Sequence, residues 1–554
     1  MKKLLILSLL LAPSLFAASE THRYIVATTS APRLMKQIHV LSTPGEVTAR
    51  NVRTFDAIDG FAVDLTDAEA EEMRKSVGVR YVSRTIAIHA ADSVASRRLV
   101  PHVEASPLAA KQTIPPNVDL LHARDLWPLT RGGNVNIAIF DTGVDFLHAD
   151  LAANIAGGYN TFTKQNDYND DNLHGTHVAG IIGALDNNLG IVGVAPAAHM
   201  YAVKVLDETG SGSDENIVAA AGWVLAAKHA KGGNWIVSMS LGSHESTPAE
   251  EEAFRQLNVE GVLCIAASGN DGGFYDMLYP AALPGVVSVG AIDNNKVRAD
   301  FSNVGPTLNV VAPGVSILST LPTGSVRRAA ANLTDGTVVP AAVITGTAFG
   351  DVTGEWVYCA YGAIGDFPPE TNGRIAVISR GMQITFSEKV RNARAAGAIG
   401  AVIINNTLSN ITTWTLITSI CEGLQCHDNP ADLAYGWPVV VTMSNADGTR
   451  LMETAKGKPI TISAYLDDYG SLSGTSMATP HVTGVAALAW SLAPTATAKQ
   501  VAAALRGSAV DLGTPGVDTL YGFGMVDAVT AAHWLAPAAF RLPPRPDLRT
   551  HAAH

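Results

Sequence analysis

The sequence predicts an α/β protein with a doubly wound, mostly parallel sheet, and three observations predict it. Apolar runs that do not alternate recur at 135–140, 201–206, 235–239, 262–267, 286–289 and 308–311. Such runs suit strands buried on both faces of a parallel sheet. Helical stretches lie between several of them, at 215–230 and at 248–258, the second with an acidic first turn. Alternating strands and helices make a layered fold in which ligands sit beyond the carboxyl ends of strands. Asp141 and Asn270 both fall at such an end, so chemistry is expected there.

The chain opens on Lys2 and Lys3, then an apolar run from Leu4 to Leu11, then Ala17 and Ala18. This is the form of a secretory signal peptide over residues 1–18, and the run is too short to span a bilayer comfortably. No later run of about twenty apolar residues follows, so a secreted protein free of the membrane is expected after its removal. Residues 19–90 form a small α/β unit with strands at 24–27, 61–65 and 79–82. Within it Thr66 and Glu69 have the spacing of a capping box, which marks a helix start. Residues 91–111 hold Arg97, Arg98 and scattered Pro, Ser and Ala, and read as a processing linker.

The doubly wound pattern runs over 112–322 and resumes over 467–535. Between them, 323–466 has its own signature. A strand and turn at 373–381 precede an amphipathic helix at 386–396 that stops at Gly397. Strands at 400–406 and 437–441 follow, before Asp447-Gly448. The Pro- and Arg-containing tail, 536–554, is expected to be disordered.

Composition narrows the function. With 47% hydrophobic and 16% charged residues the chain is globular, and its net charge of −12 argues against a nucleic-acid partner. An oxidising destination permits disulfides among the four cysteines. Cys421 and Cys426 are close enough to close a short loop, Cys359 is an alternative partner for either, and Cys264 reads as a small buried residue.

Three glycine-flanked blocks carry the chemistry: Asp141-Thr142-Gly143, His174-Gly175-Thr176-His177 and Gly474-Thr475-Ser476-Met477-Ala478-Thr479-Pro480-His481. Each places one member of an acid–base–nucleophile set. The chain resembles the subtilisin-like serine proteases, whose members use Asp, His and Ser in that order. A serine hydroxyl is a weak nucleophile and needs a base, so Ser476 pairs with His174, and Asp141 orients the imidazole. Ser476 opens a helix, where its own N–H faces the developing oxyanion; Pro480 is expected in the tolerant first turn. The glycines are expected to permit sharp turns and close backbone approach.

The resemblance implies further roles. Asn270 is the second oxyanion donor, and Ser240, Leu241, Gly242 with Ala267, Ser268, Gly269 line the pocket for the residue before the cut. The first of these segments also pairs with the peptide as an added strand. Leu278 is expected to fill the pocket floor and favour small to medium apolar residues, with Asp271 at the rim. Residues 19–90 look like an inhibitory propeptide and 323–466 like a β-rich protease-associated insert. A structural calcium is implied at Gln112, Asp150 and Asn187 with the carbonyls of Leu185, Leu189 and Ile191. Asp167, Asp170 and Asp171 are weighed as a weaker second site, with a solvated acidic loop preferred. His177 and His481 are expected to be packed structural histidines. Oxidation of Met477, beside the nucleophile, should lower activity.

Function is therefore expected to be peptide-bond hydrolysis through an acyl-enzyme by a self-processing zymogen. The competing reading is a secreted binding protein that uses the insert, with the protease fold as scaffold. An esterase of the α/β-hydrolase type would need a Gly-x-Ser-x-Gly elbow, which is not present here.

Overall fold

The computed structural model describes residues 20–29, 51–91, 112–273, 276–407, 414–422 and 425–537. The expected signal peptide, nearly all of the linker and most of the tail lie outside these.

The N-terminal unit is a four-stranded sheet, with β1 (His22–Thr28), β2 (Arg53–Phe55), β3 (Gly60–Leu65) and β4 (Val79–Arg84) in the order β2-β3-β1-β4. Helix α1 (Asp67–Arg74) starts at the expected capping box, Thr66 with Glu69. A further strand, β5 (Ala87–Ala90), leaves this sheet and joins the catalytic unit.

The seven-stranded catalytic sheet is parallel throughout. It comprises β6 (Val135–Asp141), β7 (Ile155–Asn160), β8 (His199–Lys204), β10 (Asn234–Met239), β12 (Val262–Ala267), β13 (Val286–Ile292) and β14 (Val310–Pro313). Its order, β14-β13-β12-β10-β6-β8-β7, includes the crossovers of a doubly wound sheet. Side chains of β6 alternate between two cores. Ile137 and Ile139 face the helix Thr475–Leu492, while Ala138 and Phe140 face the helices Asp214–Lys231 and Pro248–Val259. Burial on both faces explains why these strands read as unbroken apolar runs. Between β8 and β10 lies the short strand β9 (Ser211–Ser213), and after β10 the two-residue β11 (Leu241–Gly242). Strands β15 (Ile317–Thr320) and β16 (Tyr469–Leu472) pair antiparallel and bracket the insert.

The insert folds on a separate eight-stranded sheet between Val326 and Asp467. Its outer half is antiparallel, but Trp356–Tyr358, Ile375–Ser379, Gly400–Ile404 and Val440–Met443 form a parallel ladder, so it is more α/β in character than expected. Helix Phe386–Ala395 follows the sequence reading, whereas Asp447-Gly448 lies inside a helix, Asn445–Thr454, that Ser444 caps. Cys426 is disulfide-bonded and stands opposite Cys421 in a hairpin, while Cys264 and Cys359 are free and buried. The alternative pairing of Cys359 is thereby excluded. Among the described residues no helix is long and apolar enough to cross a membrane.

Candidate active site

Asp141 ends the central strand β6, and His174 opens helix α2 (His174–Gly183) beside it. The two are held together because Gly175 lies under the loop after Asp141. A Cβ on Gly175 would meet the Gly143 carbonyl oxygen at 2.0 Å. His174 Nδ1 lies 2.7 Å from Asp141 Oδ1, which also accepts from the Thr142 N–H at 2.8 Å. Both side chains are buried, and desolvation raises the Asp141 pKa against the pull of His174.

Ser476 lies in the first turn of α3 (Thr475–Leu492), a helix buried from Thr475 to Trp490. Gly474 before it is extended, not sharply turned, and its need is one of space. A Cβ there would crowd Asn270 Nδ2 at 3.1 Å. Pro480 sits in the second turn, which differs from the expected first-turn position. With no N–H it leaves the Ser476 carbonyl without its helical donor, and Ser240 Oγ fills the gap at 2.8 Å.

What converges on the site is the chain's own Ala91. Its carbonyl oxygen accepts from Ser476 Oγ at 2.6 Å and from Asn270 Nδ2, and its N–H donates to the Ser240 carbonyl at 2.9 Å. Asn270 is oriented by its other end, since Oδ1 accepts from Thr475 N at 2.8 Å and Thr475 Oγ1 at 3.0 Å. Upstream of Ala91, strand β5 is sandwiched antiparallel between β11 and β9, with Ala90 opposite Leu241, His89 opposite Gly242 and Ile88 opposite Gly212. Ala91, Ala267 and Leu278 form one small apolar cluster. Gly269 lies against Leu278, where a Cβ would meet that side chain at 2.7 Å, and its N–H donates to Thr475 Oγ1 at 3.3 Å, while Ser268 Oγ donates to the Asn303 carbonyl at 3.0 Å. Asp271 lies on the exposed rim with His244 and Asp276.

Sequence reasoning missed two parts of this arrangement. It ended the propeptide at residue 90 and assigned Ala91 to a linker, and it gave no role to the wall 211–213. The flat Gly210-Ser211-Gly212-Ser213 run is the signal that marks a backbone docking edge; Gly210 accepts the Ala90 N–H at 2.9 Å.

The expected metal ligands also meet. Gln112 Nε2 lies 2.7 Å from the Leu185 carbonyl, 3.0 Å from that of Leu189, and 3.3 Å from both the Ile191 carbonyl and Asn187 Oδ1. Gln112 Oε1 accepts the Asn188 N–H at 3.1 Å, while its amide nitrogen has two hydrogens for four oxygens, so the cage holds more acceptors than donors. Beside it Asp150 is fully buried, and its Oδ1 has no hydrogen-bond partner among the described residues. An oxygen-only donor set with an orphaned carboxylate fits a hard divalent ion.

The other acidic and histidine expectations divide. Asp170 is buried and structural, accepting from Thr142 Oγ1 at 2.9 Å and Thr176 Oγ1 at 2.6 Å, so it is not part of a solvated loop. Asp171 pairs with Lys204 at 2.7 Å and Asp167 with Thr163. His177 faces the Ile317 and Gly470 carbonyls, and His481 the Met477 carbonyl at 2.7 Å, with burial lowering its pKa to about 4. Both are packed as expected.

A parallel doubly wound sheet with Asp141 and His174 paired at its carboxyl edge, and with Ser476 and Asn270 both bonded to Ala91 at the end of an N-terminal unit, has the architecture of a subtilisin-like serine protease with its inhibitor. Residues 132–349 and 370–524 match the subtilase family, and residues 17–90 match peptidase inhibitor I9. The chain belongs to the subtilase family and is a subtilisin-like serine endopeptidase with an I9-type propeptide. It is 35% identical to subtilisin NAT of Bacillus subtilis subsp. natto over 315 residues, covering 56% of this chain and 75% of that one. Over 299 residues it is 33% identical to a thermostable alkaline protease of Halalkalibacterium halodurans, covering 51% and 74%. The crystal structure of the psychrophilic subtilisin-like protease Apa1 from Pseudoalteromonas sp. AS-11 aligns with a TM-score of 0.50 at 32% identity, covering 77% of this chain and 99% of that one.

Proposed function

We propose that this endopeptidase is secreted as a zymogen and makes its first cut in itself, after Ala91. The observation that carries this is the grip on Ala91, whose carbonyl oxygen meets Ser476 Oγ and Asn270 Nδ2 while its N–H meets Ser240. In this reading Ser476 attacks the Ala91 carbonyl carbon and its proton passes to His174, which Asp141 holds in the required tautomer. Asn270 and the start of α3 stabilise the oxyanion. The acyl-enzyme forms as the new amino terminus at Asp92 takes the proton from His174 and leaves, and water then releases the propeptide. Leu278 against Ala91 limits the pocket, which supports a preference for small to medium apolar residues before the cut. A calcium held by Gln112, Asp150, Leu185, Asn187, Leu189 and Ile191 would pin the loop 185–191 to the start of the catalytic unit. The insert serves as a protease-associated domain.

Fluorophosphonate labelling with mass mapping tests the reading, wild type beside Ser476→Ala. Label on Ser476 and a released fragment ending at Ala91, both lost in the variant, are the expected results. A variant processed like the wild type, or a fragment with another end, overturns it. So does a folded wild type that takes no label after its propeptide is removed.

A further inference from the structure

Among the described residues, two carboxyl groups in the wall beside the strand β5 have no cationic partner. Asp214 opens helix α4 (Asp214–Lys231), and Glu250 lies in the first turn of α5 (Pro248–Val259). Asp214 Oδ1 accepts from the Ile86 N–H at 3.1 Å, and its own N–H returns a bond to the Ile86 carbonyl at 3.2 Å. Its other oxygen accepts from Thr247 Oγ1 at 2.8 Å, which ties it to the start of α5. Glu250 is fully buried, and neither of its carboxyl oxygens has a hydrogen-bond partner among the described residues.

An acidic residue in a first helical turn ordinarily caps the helix or faces water. Glu250 does neither. It lies on the helix face of Ala253, Phe254 and Leu257, which packs into one apolar cluster with Ile217, Leu241 and Ile88. Ile88, fully buried, is the side chain the inhibitory strand presents to that cluster. Neighbouring carboxylates on the same helices are treated differently. Glu215 is bound by Arg23 at 2.6 Å and lies 3.6 Å from Arg53, while Glu252 is bound by Arg80 at 2.6 Å, all three from the propeptide. Among the described residues no Lys or Arg forms an ion pair with Asp214 or Glu250. Burial pushes the Glu250 carboxyl up to about 8 and that of Asp214 up to about 6. A buried, unpaired carboxyl pair is costly to keep in a fold, and a ligand that supplies the missing charge removes the cost.

We propose that Asp214 and Glu250 form a cation-recognising floor beneath the fourth residue before the cut, so that the mature enzyme selects substrates with a basic side chain there. The assignment rests on the reading of Ala91 as the residue before the cut, which makes Ile88 the fourth. A lysine at that position lays its methylene stem along Ile217 and Leu241 and delivers its ammonium to the carboxyls. The propeptide, with Ile88, fills the subsite without pairing them. It is thus a ligand that fits but brings no cation to hold the two carboxyls ionised, which a better-matched substrate does.

Mature enzyme is assayed on two peptides identical except at the fourth residue before the cut, lysine in one and its uncharged analogue norleucine in the other, with alanine before the cut in both. The lysine peptide is expected to have the higher kcat/KM by about tenfold or more, and Glu250→Gln to bring the ratio toward one. Asp214→Asn, expected to lower the ratio likewise, replaces it if Glu250→Gln does not mature. Equal cleavage of both peptides by the wild type, or preference for norleucine, overturns the subsite and leaves the protease reading intact. A ratio unchanged in both variants overturns the assignment to these residues. If neither peptide is cut, the reading of the cleavage register fails and takes the subsite with it.

Discussion

Asn270 shows how one side chain is fixed from behind so that its front is useful. With Oδ1 bonded to both donors of Thr475, the amide cannot flip, and its NH2 must face the Ala91 carbonyl. Such a donor acts on the developing oxyanion more than on bound substrate, so Asn270→Ala is expected to lower kcat about a hundred- to a thousandfold with little change in KM. Steady-state kinetics on mature enzyme check this. Glu250 makes a second prediction at this scale. A carboxyl whose folded pKa lies above its unfolded one stabilises the fold fully below the unfolded value and loses that contribution as pH rises through the folded value. Burial holds Glu250 at about 8 against an ordinary 4.5, and its facing acids Asp214 and Glu251 act in the same direction. The paired neighbours Glu215 and Glu252, with Arg23, Arg53, Arg80 and Tyr81, are already compensated by hydrogen bonds or ion pairs. The Tm of uncut Ser476→Ala protein should therefore fall from about pH 5 to about pH 8 and then level, and adding Glu250→Gln should flatten the fall.

Helix α3 shows how an element carries a defect in order to serve a site. Pro480 frees the Ser476 carbonyl, and Ser240, from the segment that holds the Ala91 N–H, fills the gap. The helix of Ser476 and the segment that bonds Ala91 are thus one hydrogen-bonded unit. Removing the Ser240 hydroxyl strands a buried carbonyl. In the Ser476→Ala background, Ser240→Ala should cost about 1–3 kcal/mol in urea unfolding. Elements of this size also divide what was legible in the sequence from what was not. The parallel strands and the long helices were legible because burial on both faces leaves unbroken apolar runs and because caps mark helix starts. The three catalytic blocks were legible through their glycines. The strands β5, β9 and β11 were not, since segments of two to four residues carry no period and exist only through partners far away in the chain. The burial of Glu250 was not legible for a related reason. An acidic first turn signals a helix start, but the sequence does not say which acid the tertiary packing buries.

At the scale of the molecule, an N-terminal unit and an insert each attach to the catalytic unit. The propeptide is anchored by Arg23 and Arg80 on the two helices below it and by Ile25, Phe55, Ile58 and Ile88 in the shared core. Gln112 bonds to the carbonyls of Leu185 and Leu189 and so ties the loop 185–191 to the start of the catalytic unit. An ion that binds the folded state alone stabilises it by mass action, so a chelator should lower the Tm of mature enzyme by a few degrees and added calcium should restore it. Identical melts with and without chelator would remove calcium from the account. The insert meets the catalytic unit on different terms. Its first and last strands are partners, Val326 opposite Asp467, directly beyond the paired β15 and β16. Facing residues of an antiparallel ladder lie about 5 Å apart. To the catalytic chain, everything from 326 to 467 is therefore the tip of one hairpin. Lengthening such a tip adds closure entropy only with the logarithm of its length, about 0.6 kcal/mol for each doubling. The protease fold is thus a socket with two adjacent contacts, and what is plugged into it can change size or kind without moving a residue of the machinery beneath.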